Sequence, residues 1–316
     1  MYRNKKVAVV VPAYNEEVLI RPTLSSMPDI LDRIYAVDDC SKDRTGEVVK
    51  MLAKKDKRIV HIRHKANKGV GGAIATGYKQ AVKDGMDIIA VMAGDNQMDP
   101  KYLPDLFDPI VDDKADYTKG NRLLADPYKF GMSPFRLFGN AILTFMTKIS
   151  SGYWNIMDPQ NGYSAIRAKA VKGINVDRMY KKYGYCNDLL VRLNIHNFRV
   201  LDVDIPARYG AEKSKIRYST YIRKVSKLLL SDFFYRMIVK YMILSLHPLV
   251  FFYFLGFIMI VLGIVGIIGG PFYKYYFGGS LILSEILSLL VLMGGFQLTF
   301  FGMHFDMRAS PGQENR

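Results

Sequence analysis

Short apolar runs rich in β-branched residues alternate with segments of helical periodicity over the first third of the chain. The runs are Lys6–Val11, Ile34–Val37, Ile59–Ile62 and Ile88–Met92. The intervening segments, with apolar residues three and four positions apart, are Glu17–Met27, Thr45–Asp56 and Val70–Lys83. Such alternation predicts an α/β fold, with a mostly parallel sheet and helices on both faces. Pro12 is expected to end the first strand, and Gly71, Gly72 and Gly77 indicate a close approach of a ligand to the backbone.

Two long apolar runs occupy the end of the chain. Pro248–Gly270 has 23 residues and no charge, and Leu281–Met303 is interrupted only by Glu285 and Gln297. At a rise of about 1.5 Å per residue, each run is long enough for a hydrocarbon core of about 30 Å. Buried core helices rarely run so far without a polar face. The pattern therefore predicts two transmembrane helices, at about 248–270 and 281–303 within the segment 247–303.

The segment 219–246 combines apolar residues at helical spacing with a row of basic residues. From Lys213 to Lys240 there are eight basic residues and one acid, Asp232. This composition favours amphipathic interfacial helices that rest on an anionic membrane leaflet. A helix packed on the preceding domain with a solvated charged face is the alternative.

The charge is concentrated before the apolar runs. After Lys240 the chain holds three basic and three acidic residues, so the net charge of +15 belongs to residues 1–240. Since half of the residues are hydrophobic, disorder and a collagen-like chain are excluded, and since 23% are charged, a wholly membrane-embedded transporter is excluded as well. Cys40 and Cys186 are too few for a disulfide framework or a zinc cluster, which favours a reduced, cytosolic head.

Membrane orientation follows from the same charges. Basic residues crowd the approach to the first apolar run, whereas Lys274 is the only charge in the linker Pro271–Ser280. The positive-inside rule then places the catalytic head, both termini and the tail 304–316 in the cytosol. Met1–Lys6 leads directly into the first strand, so no signal peptide is expected.

Polar residues follow three of the four predicted strands. They are Tyr14–Glu16 after the first strand, Asp38–Asp39 after the second and Asp95–Gln97 after the fourth. Because ligands of parallel α/β sheets bind beyond the carboxyl ends of the strands, these residues predict one site. Carboxylates in a basic domain suit a nucleoside diphosphate with Mg²⁺ or Mn²⁺. The chain has no GxxxxGK[ST] loop, and no strand leads directly into Lys68–Gly72, which disfavours an ATPase and a dinucleotide-binding domain.

These residues resemble family 2 glycosyltransferases of GT-A fold. The motifs are VVVPAYNEE (9–17), VDDCSKDRT (37–45), NKGVGGAIATGYKQA (67–81) and GDNQMDP (94–100). GNRL (120–123), MDPQNGYSAIR (157–167), YGYCNDLLVRL (183–193) and EKSKI (212–216) extend the resemblance over about residues 6–220. The implied cytosolic glycosyltransferase domain spans 1–218. With the apolar tail, the chain is similar to polyprenyl-phosphate sugar transferases of the dolichol-phosphate mannose synthase type.

The resemblance implies a donor site. The residues that it places at the nucleotide-sugar are Pro12, Tyr14, Glu16, Asp38, Asp39, Lys68, Asp95, Gln160, Asn161, Arg208, Ser214 and Lys215. Among them, Asp38 would accept a hydrogen bond from the base, and Asp39 would lie beside the ribose and diphosphate. Asp158 is expected to face the transferred sugar together with Gln160 and Asn161.

The resemblance also implies a metal site. The family's metal motif is Asp-x-Asp-x-Gln, and here Ala93 replaces the first aspartate. Asp95 and Gln97 are therefore left as the implied metal ligands, and weaker metal binding is expected.

The resemblance also implies an acceptor site and a set of catalytic residues. Arg122, Arg136 and Asn140 match positions that hold the lipid phosphate, and Arg136 and Asn140 share a face if Pro134–Lys148 is helical. The implied catalytic residues are Asp95, Arg122, Arg136, Asp188 and Lys215. At Asn187-Asp188, relatives carry a carboxylate near the sugar hydroxyls, and the sequence leaves open which position matches it.

The implied function is inverting, metal-assisted transfer of a sugar to a polyprenyl (dolichyl or undecaprenyl) phosphate at the cytosolic membrane face. A UDP-sugar is favoured over GDP-mannose because the broader family more often uses uridine donors. The implied partners are the donor, the polyprenyl phosphate and the bilayer, with no nucleic acid; the sequence does not decide whether the protein forms a homo-oligomer.

Glu285 and Gln297 in the second apolar run are expected to be membrane-edge and helix-contact residues. The alternatives are a membrane polysaccharide synthase and a non-catalytic scaffold that retains the fold, for which Ala93 is the one encouraging feature.

Overall fold

The computed structural model describes residues 1–122, 134–206, 218–278 and 280–311; the side chains at 134–138, 140 and 218–222 lie outside that description. The described chain forms two compact units, one from Met1 to Phe233 and one from Phe234 onward. The first unit contains the sheet, and the second contains the apolar helices.

Seven strands form one sheet in the first unit. They are β1 (Val7–Ala13), β2 (Arg33–Asp38), β3 (Ile59–Arg63), β4 (Ile88–Val91), β5 (Tyr117–Asn121), β6 (Ser164–Arg167) and β7 (Val200–Asp204). Their order is β3-β2-β1-β4-β6-β5-β7, and β6 alone runs against its neighbours. The prediction of a mostly parallel α/β sheet is confirmed.

Helices cover both faces of this sheet. The helices before the apolar hairpin are α1 (Ile20–Ser25), α2 (Thr45–Lys55), α3 (Val70–Lys83), α4 (Leu103–Val111), α5 (Pro134–Ser151), α6 (Ala168–Gly173), α7 (Tyr185–Ile195) and α8 (Tyr218–Arg236). Of these, α1, α2, α3, α4, α6 and α7 pack on the sheet. Val9 and Val11 of β1 pack with α1, α2 and α4, whereas Val10 packs with α3, α6 and α7. This alternation follows from the two-residue period of a strand, and it explains why the strands of the sheet are apolar on both faces.

Strand β1 continues through Pro12 to Ala13, so the expectation that it ends at Pro12 is wrong. Pro12 pairs with Val37 of β2, while its carbonyl accepts a hydrogen bond from the Gly94 N–H on the β4 side. The β1–β4 ladder ends at Val10. Because the β1–β4 ladder has already ended at this point, the lack of an N–H on Pro12 costs no hydrogen bond of that ladder. Proline is therefore tolerated there.

The second unit is a hairpin of two apolar helices, α9 (Leu249–Phe277) and α10 (Leu281–Arg308). Both are long and apolar enough to cross a membrane, and they extend beyond the predicted runs. Large side chains such as Phe251, Phe257 and Met293 remain more than 60% exposed. A row of exposed apolar side chains along two helices fits a lipid environment and not an aqueous one.

Glycines allow the two helices to pack closely. A Cβ at Gly256 would lie 2.6 Å from Thr299 Oγ1, and one at Gly263 would lie 2.7 Å from Leu292 Cβ. Small residues permit such an approach of backbones in a membrane, where helix association depends on van der Waals packing.

The segment after α8 differs from the predicted amphipathic helix. It continues as a π-helical segment, Met237–Leu244, in which Lys240 is buried. Arg236 is also fully buried and forms two hydrogen bonds with the carboxylate of Asp306, at 2.6 and 2.8 Å. Burial and the nearby Arg236 lower the pKa of Lys240 to about 8. Arg236 and Lys240 therefore do not belong to a leaflet-facing row of charges, whereas Arg223, Lys224 and Lys227 are not buried.

Candidate active site

The loops that carry the predicted site residues meet at one edge of the sheet. Strands β1, β2, β3, β4, β5 and β7 all end at this edge, and the antiparallel strand β6 begins there. The loop 157–163, which precedes β6, is thus brought beside the loops that follow β4 and β5. The sequence predicted this convergence for β1, β2 and β4.

The loops after β1 and β2 are joined by hydrogen bonds. Ser41 Oγ accepts from the Asn15 N–H at 3.1 Å, and Thr45 Oγ1 accepts from the Glu16 N–H at 2.8 Å. The Asn15 side chain forms a further hydrogen bond between the two loops, since its Oδ1 accepts from the Lys42 N–H. Tyr14 is 41% exposed beside this pair of loops. The two loops form a fixed wall with Pro12, Tyr14 and Glu16 on it.

Asp38 is a fully buried carboxylate at the end of β2. Its Oδ1 accepts from the Ser41 N–H at 2.8 Å, and its Oδ2 lies 3.3 Å from Arg63 Nε. Gly46 gives Oδ2 room, because a Cβ there would lie 2.6 Å away. A buried acceptor in these surroundings has the chemistry needed to receive an N–H group of a nucleobase.

Asp39 has its carboxylate occupied by neighbouring protein groups. It accepts from the Lys68 N–H at 2.8 Å and the Gly69 N–H at 2.7 Å, and it contacts His64 Nδ1 at 2.6 Å. Asp39 therefore shapes the glycine-rich loop before α3. The Lys68 side chain is exposed, while its backbone is held by Asp39.

The glycines of this loop allow two stretches of backbone to approach one another. Gly71 donates its N–H to the Lys181 carbonyl at 2.9 Å, and a Cβ on Gly71 would collide with the Tyr180 carbonyl. A Cβ on Gly77 would collide with Val10. The approach of a ligand, which the sequence indicated for Gly71 and Gly77, is thus an approach of other parts of the chain.

The predicted metal ligands lie in the turn after β4. Asp95 Oδ1 accepts from the Gln97 N–H at 3.1 Å, and Asn96 between them has φ 57°. The described residues contain no group of three histidine, cysteine or carboxylate side chains that could hold a metal. One carboxylate and one amide oxygen fit Mg²⁺ or Mn²⁺ only when phosphate oxygens complete the shell, which is how Mg²⁺ is usually bound with nucleotides.

Arg122 lies directly after β5 and is paired with Asp158. Its Nε and Nη2 donate to the two carboxylate oxygens at 2.7 and 3.0 Å, and its backbone N–H also donates to Oδ2. Asp158 is almost fully buried, so this forked pair fixes the direction of the guanidinium. The structure thus brings together a predicted acceptor residue and a predicted sugar-facing residue.

Asn161 and Lys119 hold the loop 157–163 on β5. The Asn161 side chain donates to the Gly120 carbonyl at 2.7 Å and accepts from the Tyr163 N–H at 3.0 Å. Lys119, fully buried in β5, donates its ammonium to the Asn161 carbonyl. On β7, burial raises the pKa of Asp202 to about 6, and the charge of Lys119 opposes that rise. Sequence reasoning missed Lys119 and Asp202, because nothing in their spacing indicates that β5 and β7 are neighbours.

Asn187 and Asp188 point to different surroundings. Asn187 is fully buried, its Oδ1 accepts from Gln160 Nε2 at 3.0 Å, and its Nδ2 has no hydrogen-bond partner among the described residues. Asp188 instead accepts from the Tyr180 N–H at 2.7 Å and from Arg192 Nε at 2.8 Å. Of the two positions, Asn187 is the one beside a predicted sugar-facing residue.

Several predicted residues fall outside the described part of the chain. Arg208, Ser214 and Lys215 belong to the segment 207–217, for which no structure is described. Arg136 and Asn140 lie in α5, four positions apart and so on one helix face, but their side chains are outside the description.

The sequence of residues 8–174 matches a family model described as glycosyl transferase family 2. The chain belongs to glycosyltransferase family 2. The matched range begins in β1 and ends just after α6, so it includes the edge loops described above up to the loop 157–163. The chain is therefore a glycosyltransferase, as the resemblance of its motifs implied.

Three curated relatives match between 63% and 76% of this glycosyltransferase. It is 30% identical to a UDP-N-acetylglucosamine–dolichyl-phosphate N-acetylglucosaminyltransferase of Methanococcus voltae, over 65% of this chain and 87% of that protein. It is 28% identical to an undecaprenyl-phosphate mannosyltransferase of Micrococcus luteus, over 63% of this chain and 82% of that protein. A dolichol-phosphate mannosyltransferase of Pyrococcus furiosus is also 28% identical, over 76% of this chain and 68% of that protein.

Solved structures support the same fold. A glucosyl-3-phosphoglycerate synthase from Mycobacterium tuberculosis, crystallised with Mg²⁺ and UDP, aligns with a TM-score of 0.56 at 15% identity. The alignment covers 74% of this chain and 79% of that one. At this identity the likeness establishes the GT-A fold of the glycosyltransferase and nothing finer.

Proposed function

We propose that this glycosyltransferase transfers a sugar from a nucleotide-sugar to a polyprenyl phosphate, with a UDP-sugar favoured over GDP-mannose. The observation that carries the proposal is the position of Arg122 at the carboxyl edge of the sheet, oriented by Asp158. Since Nε and one N–H of Nη2 are given to Asp158, the Nη1 side of the guanidinium is the part that would meet a phosphate. The three relatives cited above are named for transfer to dolichyl or undecaprenyl phosphate, and two different sugars occur among them.

The donor half of the proposed site lies along β1, β2 and the loop before α3. Asp38 receives a nucleobase N–H, and Asp39 keeps the glycine-rich loop in place beside the ribose and diphosphate. Asp95 and Gln97 would hold Mg²⁺ or Mn²⁺ together with the diphosphate, and the bound ion would neutralise the charge that develops on the leaving group. Support for the metal comes from the oxygen donor set and from the metal-bound crystals of structural relatives.

The acceptor half of the proposed site uses a nucleophile that is already charged. A phosphate monoester has a second pKa near 6, so no strong general base is required to generate it. The neutral Asn187 beside Gln160 is consistent with this requirement, since no carboxylate occupies that position. Arg122 and Arg136 orient the phosphate, Lys215 offsets charge on the departing diphosphate, and direct displacement inverts the anomeric carbon.

The proposed membrane location follows from the nature of the acceptor. A polyprenyl phosphate keeps its chain in the bilayer and its phosphate at headgroup level. We assign α9 and α10 to the bilayer, with the head and both termini cytosolic, because the basic residues precede α9. The exposed residues Arg223 and Lys224 of α8 suit an anionic leaflet.

A direct transfer assay tests the function. The full chain is reconstituted in vesicles that contain undecaprenyl or dolichyl phosphate and is given radiolabelled UDP- and GDP-sugars with Mg²⁺. We expect label to enter the organic extract with one nucleotide-sugar and only in vesicles that contain the lipid phosphate. Label in a water-soluble polymer would instead support a polysaccharide synthase, and no transfer from any donor would support a scaffold.

Asn187 yields a prediction about the sugar. Replacing it with Ala removes a buried amide whose N–H we expect to donate to an oxygen of the transferred sugar. Loss of one such hydrogen bond should lower kcat/KM for the nucleotide-sugar about tenfold. The affinity for the free nucleotide, which carries no sugar, should not change.

The matched control is Asn194→Ala on the same helix. Asn194 is also fully buried but lies two turns further from the loop 157–163. Equal losses in both variants would mean that Asn187 acts only through the stability of α7.

A further inference from the structure

Helix α8 is seated on the segment that supports the glycine-rich loop. Leu228 Cδ2 would lie 3.2 Å from a Cβ at Gly184, where φ is 108°, and Val225 lies nearby. On the α5 side, Ser150 Oγ donates to the Leu229 carbonyl at 2.8 Å. The described part of α8 thus presents one buried face to the head, spaced at three and four residues.

An acid on α8 completes this face. Asp232 is 6% exposed, and its Oδ2 has no hydrogen-bond partner among the described residues. Burial and the nearby Asp188 raise the pKa of Asp232 to about 8, while Arg192 opposes the rise. Asp232 thus lies near the Asp188–Arg192 pair, where the raised pKa favours its neutral carboxyl group.

The Asp188–Arg192 pair in turn holds the segment 178–184. Asp188 accepts from the Tyr180 N–H at 2.7 Å, and Arg192 Nη2 donates to the Arg178 carbonyl at 2.7 Å. The next residue, Lys181, accepts at its carbonyl from the Gly71 N–H at 2.9 Å and the Gly72 N–H at 3.3 Å. A continuous set of contacts therefore leads from α8 to the start of α3.

We propose that docking of α8 on Gly184 and on the Asp188–Arg192 pair positions the glycine-rich loop Lys68–Gly72 for the nucleotide diphosphate. This inference rests on the proposed function, because that function places the donor at this loop. Asp188 then acts as a positioning residue, through Tyr180 and Lys181, and does not contact the sugar. Since the chain continues from α8 into the apolar helices, the helix that leads to the hairpin also sets the shape of the donor loop.

Nucleotide binding separates this role from a direct sugar contact. The detergent-solubilised full chain is titrated with UDP and with UDP-N-acetylglucosamine in the presence of Mg²⁺, or with GDP and GDP-mannose if the wild type prefers guanine. Asp188→Asn and Leu228→Ala should each weaken binding of the free nucleotide about tenfold, a size typical of coupling through packed contacts. In the transfer assay both should raise the KM for the donor, with kcat changed less than twofold.

Two control variants make the test specific. Leu230→Ala removes an exposed leucine from the same helix, and Asp177→Asn removes an exposed acid from the segment that leads to Tyr180. Both should bind the nucleotide like the wild type. If Asp188→Asn does not fold, Leu228→Ala probes the same contacts from the α8 side.

The outcomes are distinct. If Asp188→Asn weakens only the nucleotide-sugar and not the free nucleotide, then Asp188 contacts the sugar and the inference is overturned. Free-nucleotide affinity equal to that of Leu230→Ala in both test variants also overturns it, while leaving the proposed function intact. A wild-type protein that binds neither UDP nor GDP would refute the proposed function itself, and the inference with it.

Discussion

Sugar transfer should disappear when Asp95 is replaced by Ala, with a fall in kcat of about 10³-fold or more. In the proposed metal site, Asp95 would supply the one carboxylate, since Ala93 occupies the position of the motif's first aspartate. Without it, the diphosphate would lose the ion that neutralises the leaving group. Radiolabel transfer into polyprenyl phosphate measures the effect.

Two variants separate charge from structure at this turn. Asp95→Asn keeps an oxygen to accept the Gln97 N–H, so it preserves the turn but removes the charge. It should be almost as inactive as Asp95→Ala, with an unchanged melting temperature. Asp105→Asn, an exposed acid on α4, serves as the control and should retain full activity. Substantial turnover in Asp95→Asn would contradict the assigned role of Asp95.

Replacing Arg122 with Ala should have two effects of different origin. The KM for polyprenyl phosphate should rise at least tenfold, because charge-assisted hydrogen bonds to the phosphate are lost. The free energy of unfolding should also fall by about 3 kcal/mol, because Asp158 would be left buried without its partner. Lipid-dependent transfer kinetics and denaturant unfolding of the solubilised protein measure the two effects separately.

The double variant Arg122→Ala/Asp158→Ala distinguishes the effect on lipid binding from the effect on stability. Removing both charges should restore much of the stability, since no unpaired buried carboxylate remains. The raised KM for the lipid should persist. Arg167→Ala provides a control, because Arg167 pairs with Asp113 at the opposite edge of the sheet. If the double variant regains lipid affinity, Arg122 stabilises the fold and does not bind the acceptor phosphate.

The positions of the sequence motifs anticipated which loops meet at one edge of the sheet. Polar residues directly after β1, β2 and β4 had to meet, because strands that run in parallel end at the same edge. The role of Asp39 could not be read in this way. Its carboxylate accepts from Lys68 and Gly69, about thirty residues away, and this depends on the loop that follows β3.

In the segment 219–246, the sequence pattern did not show which basic residues are buried. Its basic residues looked equivalent along the sequence, and the helical spacing of its apolar residues was clear. Yet Arg236 is buried against Asp306, a partner 70 residues further along the chain. Periodicity reports which residues share a helix face, but it does not report which face meets another part of the chain.

Patterns of near neighbours in the sequence determined the α/β class, the family and the two apolar helices, because strand period, helix period and run length are local properties of a chain. Tertiary structure alone decided that Asn187 contacts Gln160 while Asp188 holds Tyr180, and that Arg122 is oriented by Asp158. Adjacent residues on a helix point about 100° apart. Only the packing of α7 between the loop 157–163 and the segment 178–184 could place one of them against Gln160 and the other against Tyr180.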